Sequence, residues 1–216
     1  IRTHLEPYLK KNIPIRHHGY FPGYELGDMD EEKAKVALSL HMKAVDAIEG
    51  IGEQVMTVHM GLAPNFELDH ARVKENLTKL VEYSKKKGIH ICLENLRKGP
   101  TSNPEIVLEW AETCGANITM DIGHAVSSKR VILGELNVPN IVKMFSHKLL
   151  EVHFYESETD THHAPKDMII LAPIVDQLLK TRCKWWTIEL NKYDEILHTR
   201  NLIRDYVASK SQQLAA

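Results

Sequence analysis

The sequence predicts an α/β fold in which parallel strands alternate with helices, the arrangement of a (β/α) barrel, with six strands against the eight that a closed barrel needs. Three observations carry the prediction. Five short apolar runs, at 55–59, 89–94, 118–121, 149–153 and 185–189, each end on a residue that can bind a metal: His59, Glu94, Asp121, His153 and Glu189. The residue before each ligand is apolar (Val58, Leu93, Met120, Val152, Ile188), whereas the one two before it is smaller or more polar (Thr57, Cys92, Thr119, Glu151, Thr187). Stretches with apolar residues at helical spacing separate the runs.

A strand repeats its side-chain direction every second residue, so the ligand and its i−2 neighbour share one face and the apolar residue faces the other. That suits a parallel strand with helices outside and a barrel interior inside, where chemistry sits at the C-terminal strand ends. The first unit reads as a short helix over 2–11 and a strand over 13–18 that ends on His18. The next helix, over 30–50, carries Ala34, Ala37, Leu38, Met42, Val45 and Ile48 as its apolar stripe, with Asp28 or Asp30 as its cap. Further helices are expected over 69–87, stopping at Gly88 with lysines in the last turn, from Pro104 to before Gly115, and over 139–148, 167–180 and 196–210. Pro173 should start or kink the helix in which it lies.

At 216 residues and 43% hydrophobic content, the chain can bury a substantial core and is expected to be one domain, 1–216. Its 27 Lys+Arg against 29 Asp+Glu lack the basic excess of many nucleic-acid binders. Cys92, Cys114 and Cys183 are isolated and odd in number, which points away from a disulfide framework or a zinc ribbon and toward a reducing cytoplasm. No apolar run is long enough for a membrane span. The chain opens on Ile1 in what reads as a helix before a strand, so two N-terminal βα units are expected to be absent from this sequence. Two open sheet edges would then need cover, which a homo-oligomer could supply.

The candidate metal ligands are His18, His59, Glu94, Asp121, His124, His153, Asp160, His162 and Glu189. Asp121-x-x-His124 joins a strand end to the following loop, and Asp160-x-His162 sets two ligands on one side of an extended loop. Mixed imidazole and carboxylate donors suit Zn, with Mn or Fe as alternatives. His18 is preferred to His17 because Arg16 then fills the polar i−2 position. His17, His41, His70, His90, His147, His163 and His198 are read as ordinary hydrogen-bonded residues. Arg97, Lys98 and Lys166 follow ligand-bearing strands and could meet a phosphate. Tyr20, Phe21, Tyr24 and Tyr155 could stack on a sugar or base, Asn95 and Asn191 could orient the glutamates or the substrate, and Trp185 and Trp186 are read as core.

The segments TVHMG, CLENL, TMDIGHA, EVHFYE with the following DTHH, and TIELN resemble the xylose isomerase-like TIM-barrel superfamily (AP endonuclease family 2). That group includes the endonuclease IV type of apurinic-site endonuclease and many sugar isomerases and epimerases. The resemblance spans His18 to Glu189 and, in its epimerase branch, implies one metal on Glu94, Asp121, His153 and Glu189, with the two glutamates moving protons and His124 touching substrate. In the endonuclease branch it implies a trinuclear zinc cluster on all nine candidates. Isomerisation has no evident use for His18, His59, Asp160 and His162, whereas in-line phosphoester attack uses several ions. The expectation is therefore a divalent-metal-dependent hydrolase acting on a sugar phosphate or an abasic nucleic-acid unit, with Glu94, Glu189 and His124 as its catalytic groups. The alternative is a one-metal sugar or sugar-phosphate isomerase or epimerase using Glu94 and Glu189 as acid and base.

Overall fold

A computed structural model describes residues 2–62 and 67–215, with side chains to 210. The chain packs as two compact units, one of Ile1–Glu94 with Lys98–Ile118 and the other of Asn95–Arg97 with Thr119–Ala216. The first unit runs α1 (Arg2–Leu9), β1 (His17–Gly19), α2 (Glu31–Ile48), β2 (Val55–Val58), α3 (His70–Lys85), β3 (His90–Glu94), a 3-10 turn (Pro100–Ser102) and α4 (Pro104–Cys114). β4 (Asn117–Asp121) carries the chain into the second unit. That unit contains α5 (Ile122–Val126), α6 (Lys129–Ile132), α7 (Val138–Phe145), β5 (Leu149–Phe154), β6 (Ser157–Glu158), β7 (His162–His163), α8 (Ala172–Leu178), β8 (Trp186–Ile188) and α9 (Tyr193–Ala215). Among the described residues no helix is long and apolar enough to cross a membrane.

In the first unit β1, β2 and β3 pair in parallel, with His18 opposite Thr57 and Thr57 opposite Cys92. In the second, β5 and β8 are parallel, with His153 opposite Thr187, and β6 and β7 form a small antiparallel hairpin with Glu158 opposite His162. The two-faced burial expected of the strands is present. Val58, Leu93, Met120 and Val152 are buried on one face, and Thr57, Cys92, Thr119 and Glu151 on the other.

The helices begin where their caps dictate. The Asp30 carboxylate accepts the backbone N–H groups of Glu32 and Lys33, and Asp69 those of Ala71 and Arg72, each offsetting donors that the first helical turn cannot satisfy internally. α2 buries Ala34, Ala37, His41, Val45 and Ile48, a stripe at helical spacing. His41 sits in that stripe as a core histidine, its Nδ1–H donating to the Ala37 carbonyl at 2.8 Å. α4 ends at Gly115, which takes a left-handed φ of 74°.

Several boundaries differ from the sequence expectation. The first strand is confined to His17–Gly19, because Pro14 has no N–H to donate and Ile13 is exposed. The helix expected over 167–180 starts only at Ala172, with Pro173 in its first turn, where a missing N–H costs nothing. Trp185 and Trp186 are half-buried rather than core. Among the described residues β8 pairs with no strand but β5, and Trp186 covers that flank by stacking on Phe154 with ring centroids 5.8 Å apart. The short α5 and α6 and the β6–β7 hairpin are too brief to leave a periodic signal.

Candidate metal centre

In the second unit the site grows from the end of β4. Asp121 is both the last residue of that strand and the cap of α5, its Oδ1 accepting the His124 N–H at 2.6 Å. Its Oδ2 is thereby turned toward imidazoles, 3.6 Å from His124 Nδ1 and 4.0 Å from His153 Nδ1. Asn95 pins this strand end: its amide donates to the Asp121 carbonyl at 2.8 Å and accepts the Asp121 N–H at 2.9 Å. The Asn95 carbonyl also accepts from His124 Nδ1 at 2.9 Å. Asn95 thus orients Asp121 and His124, not the glutamates.

His153, projecting from β5, is nearly fully buried, and its Nδ1 lies 3.2 Å from Glu189 Oε2. Glu189, just after β8, is about one-third exposed at its side chain (36%), so a small molecule can reach it. Metal bonds of about 2.1 Å set neighbouring donors roughly 3.0–3.4 Å apart, and opposite donors roughly 4.2 Å apart. The His153–Glu189 and Asp121–His153 separations, 3.2 and 4.0 Å, lie between those limits, and one ligand atom of each of the three is within 4.8 Å of the others. Two carboxylates and an imidazole are also a donor set that Zn, Mn or Fe accepts. These three residues therefore fit a divalent ion.

A second group in this unit joins His124, Glu158 and His162, with one ligand atom of each within 4.8 Å of the others. Sequence reasoning missed Glu158 and favoured Asp160. The hairpin explains the exchange: Glu158 stands on β6 opposite His162, while Asp160 lies exposed in the turn and joins none of these groups. Glu158 Oε2 takes the Arg97 Nε–H at 2.8 Å and is 3.5 Å from His124 Nε2. Arg97 is thereby committed to a protein carboxylate rather than held open for a phosphate.

Tyr155 is fully buried, its ring stacked on His162 at 3.9 Å, so it cannot lie against a sugar or base as the sequence suggested. Burial first, then the charge of nearby Asp121, pushes its hydroxyl far above the ordinary phenol range, and the group stays protonated. Its neighbour His162 donates Nδ1–H to the Glu189 carbonyl at 2.8 Å, which steadies the backbone behind that ligand. Lys166 and Asn191 line an open cavity of about 730 Å³ together with His162, His163 and Glu156.

In the first unit His18 and His59 both approach one oxygen of the buried Glu94, at 3.2 and 2.9 Å. His17, the neighbour that His18 was preferred to, donates to the Ile51 carbonyl instead. Lys98 is exposed. Tyr20 and Tyr24 are exposed as well, and Phe21 packs edge-on against His41. No sequence signal marked Glu25, which is buried and accepts the N–H groups of Gly61 and Leu62 at 2.8 and 2.7 Å, clamping the loop that follows His59.

Residues 4–209 match the family described as xylose isomerase-like TIM barrel, and the chain belongs to that family. It is 33% identical over 187 residues to uncharacterized protein MJ0008 of Methanocaldococcus jannaschii, a match covering 86% of this chain and 80% of that one. It is similar in fold to a D-tagatose 3-epimerase-like protein, with a TM-score of 0.85 at 19% identity, over 99% of this chain and 84% of the other. An L-ribulose 3-epimerase gives a TM-score of 0.77 at 14% identity, over 100% and 83%. The fold is accordingly the (β/α) barrel of that family, with six strands alternating with helices.

Proposed function

We propose that the chain is a divalent-metal-dependent sugar or sugar-phosphate isomerase or epimerase, the reading that the sequence had placed second. The compact Asp121–His153–Glu189 set is the observation that carries it, and the fold likeness to sugar epimerases supports it. The case for hydrolysis rested on the number of further ligand-type residues, and a number of ligands does not by itself select a reaction. His18 and His59 bond to Glu94, His124 donates to Asn95, His162 donates to the Glu189 carbonyl, and Asp160 faces solvent. Asp160 thus drops out of the count, whereas His18 and His59 with Glu94, and His124 and His162 with Glu158, still form groups that could hold an ion.

Asp121, His153 and Glu189 would hold the metal. When bound, the metal supplies a positive charge that draws electrons from a substrate carbonyl and acidifies the neighbouring C–H. The accessible Glu189 carboxylate would take that proton, and a proton returned to the substrate completes the exchange. Return to the same carbon from the opposite side inverts it; return to the next carbon moves the carbonyl. The buried surroundings of Asp121 and His153 keep water from competing for the charge.

The test is proton exchange. Ketopentoses and ketohexoses, free and phosphorylated, are incubated with the protein and Mn²⁺ in D₂O and followed by NMR. Deuterium at the carbon beside the carbonyl, lost in Glu189→Gln, is the expected result. Release of inorganic phosphate or cleavage of an abasic oligonucleotide without carbon-bound deuterium would overturn the proposal in favour of hydrolysis, the reading that the His124–Glu158–His162 group favours.

A further inference from the structure

Of the five residues two positions before a strand-end ligand, Thr57, Cys92, Thr119 and Thr187 are neutral and Glu151 alone is an acid. It is also nearly fully buried, where a carboxylate is costly unless its surroundings use the charge. Residues 151 and 153 lie on one face of β5, and Glu151 Oε1 stands 3.6 Å from His153 Nε2, on the side of the ring away from Glu189. The same oxygen accepts the Thr187 hydroxyl at 2.9 Å, and Thr187 is the residue directly opposite His153 in the β5–β8 register. Thr187 in turn accepts the Trp185 indole N–H at 3.0 Å, which commits the hydroxyl proton to Glu151.

We infer that Glu151 is a positioning residue that holds the His153 ring with Nε2 as donor toward Glu151 and Nδ1 turned toward Asp121 and Glu189. The inference rests on the reading of Asp121, His153 and Glu189 as a metal-binding set. Glu151 Oε1 already accepts the Thr187 hydroxyl and so faces His153 as an acceptor, which leaves the ring proton on Nε2 whenever Nδ1 gives its lone pair to an ion. A carboxylate behind a ligating imidazole fixes its orientation and raises its basicity, and loss of such a partner typically weakens metal affinity by about 10–100-fold.

Zn²⁺ and Mn²⁺ affinities of the wild-type chain, Glu151→Gln, Glu151→Leu and Asp121→Asn are measured by competition with a chromogenic chelator, together with each variant's melting temperature. The expected pattern is about 10–100-fold weaker binding in Glu151→Leu, with most of the affinity and the melting temperature retained in Glu151→Gln, whose amide oxygen can still accept from Nε2–H. Glu151→Leu binding within twofold of wild type, whether or not its melting temperature falls, would overturn the inference and leave the metal reading standing. Wild-type protein that binds neither ion, or Asp121→Asn that binds as wild type, would overturn the metal reading and this inference with it.

Discussion

Gly123, in the MDIGH segment, has an ordinary backbone conformation, so its small size and not its freedom is what the site uses. A Cβ built there would lie 1.9, 2.3 and 2.4 Å from three atoms of the Tyr155 ring. Carbon atoms pack no closer than about 3.4 Å, so the ring would have to retreat by about 1.5 Å (3.4 − 1.9). It has nowhere to go, being fully buried and stacked on His162. Overpacking of this kind costs about 1–3 kcal/mol, and the rigidity of the ring argues for the upper end in Gly123→Ala. Urea denaturation measures the loss as a lower midpoint at unchanged slope. Gly88→Ala is the control. With φ at +71° and open space around the Cβ position, it should lose only the conformational cost of about 1 kcal/mol. In a Tyr155→Leu background the penalty of Gly123→Ala should shrink by about 1 kcal/mol or more. A Gly123→Ala protein within about 0.5 kcal/mol of wild type, or an equal penalty in both backgrounds, would refute the steric reasoning.

Two further perturbations probe the surroundings of the histidines. Glu25→Ala leaves the Gly61 and Leu62 N–H groups without their charged acceptor and should lower stability by about 3 kcal/mol in the same assay; a loss under about 1 kcal/mol would mean that water replaces the carboxylate. Burial holds the His41 imidazole below its ordinary pKa of 6.5, only partly offset by its bond to the Ala37 carbonyl. As pH falls, the unfolded chain takes up that proton before the folded one. The stability that His41 contributes is therefore whole above about pH 6.5 and lost progressively below it. His41→Gln should flatten the decline in denaturation midpoint between pH 7 and 5, and an unchanged slope would show that other groups set it.

The barrel class was legible because its strands are buried on both faces, which writes an alternation of apolar and small polar residues before each ligand-type strand end. The helices of regular period were legible for the same reason, with Asp30, Pro104 and Gly115 marking their limits. What escaped is local and tertiary. Nothing in the spacing of Glu158 and Asp160 reveals that a hairpin of two short strands sets one beside His124 and His162 and the other in the solvent-exposed turn. Arg97 reads as an available cation until Glu158 is seen beside it. Tyr155 reads as a rim aromatic until its ring is found beneath His162. The count of nine ligand-type residues favoured a multinuclear hydrolase, but a count cannot tell a ligand-type residue gathered with others, such as His162, from one that stands exposed in a turn, such as Asp160.

Anomalous diffraction from a crystal grown with Mn²⁺ tests the central claim most directly, because it locates and counts ions without assuming a substrate. The account predicts a single peak bonded to Asp121, His153 and Glu189. Peaks also at His124, Glu158 and His162, or no density beside Asp121, would contradict it.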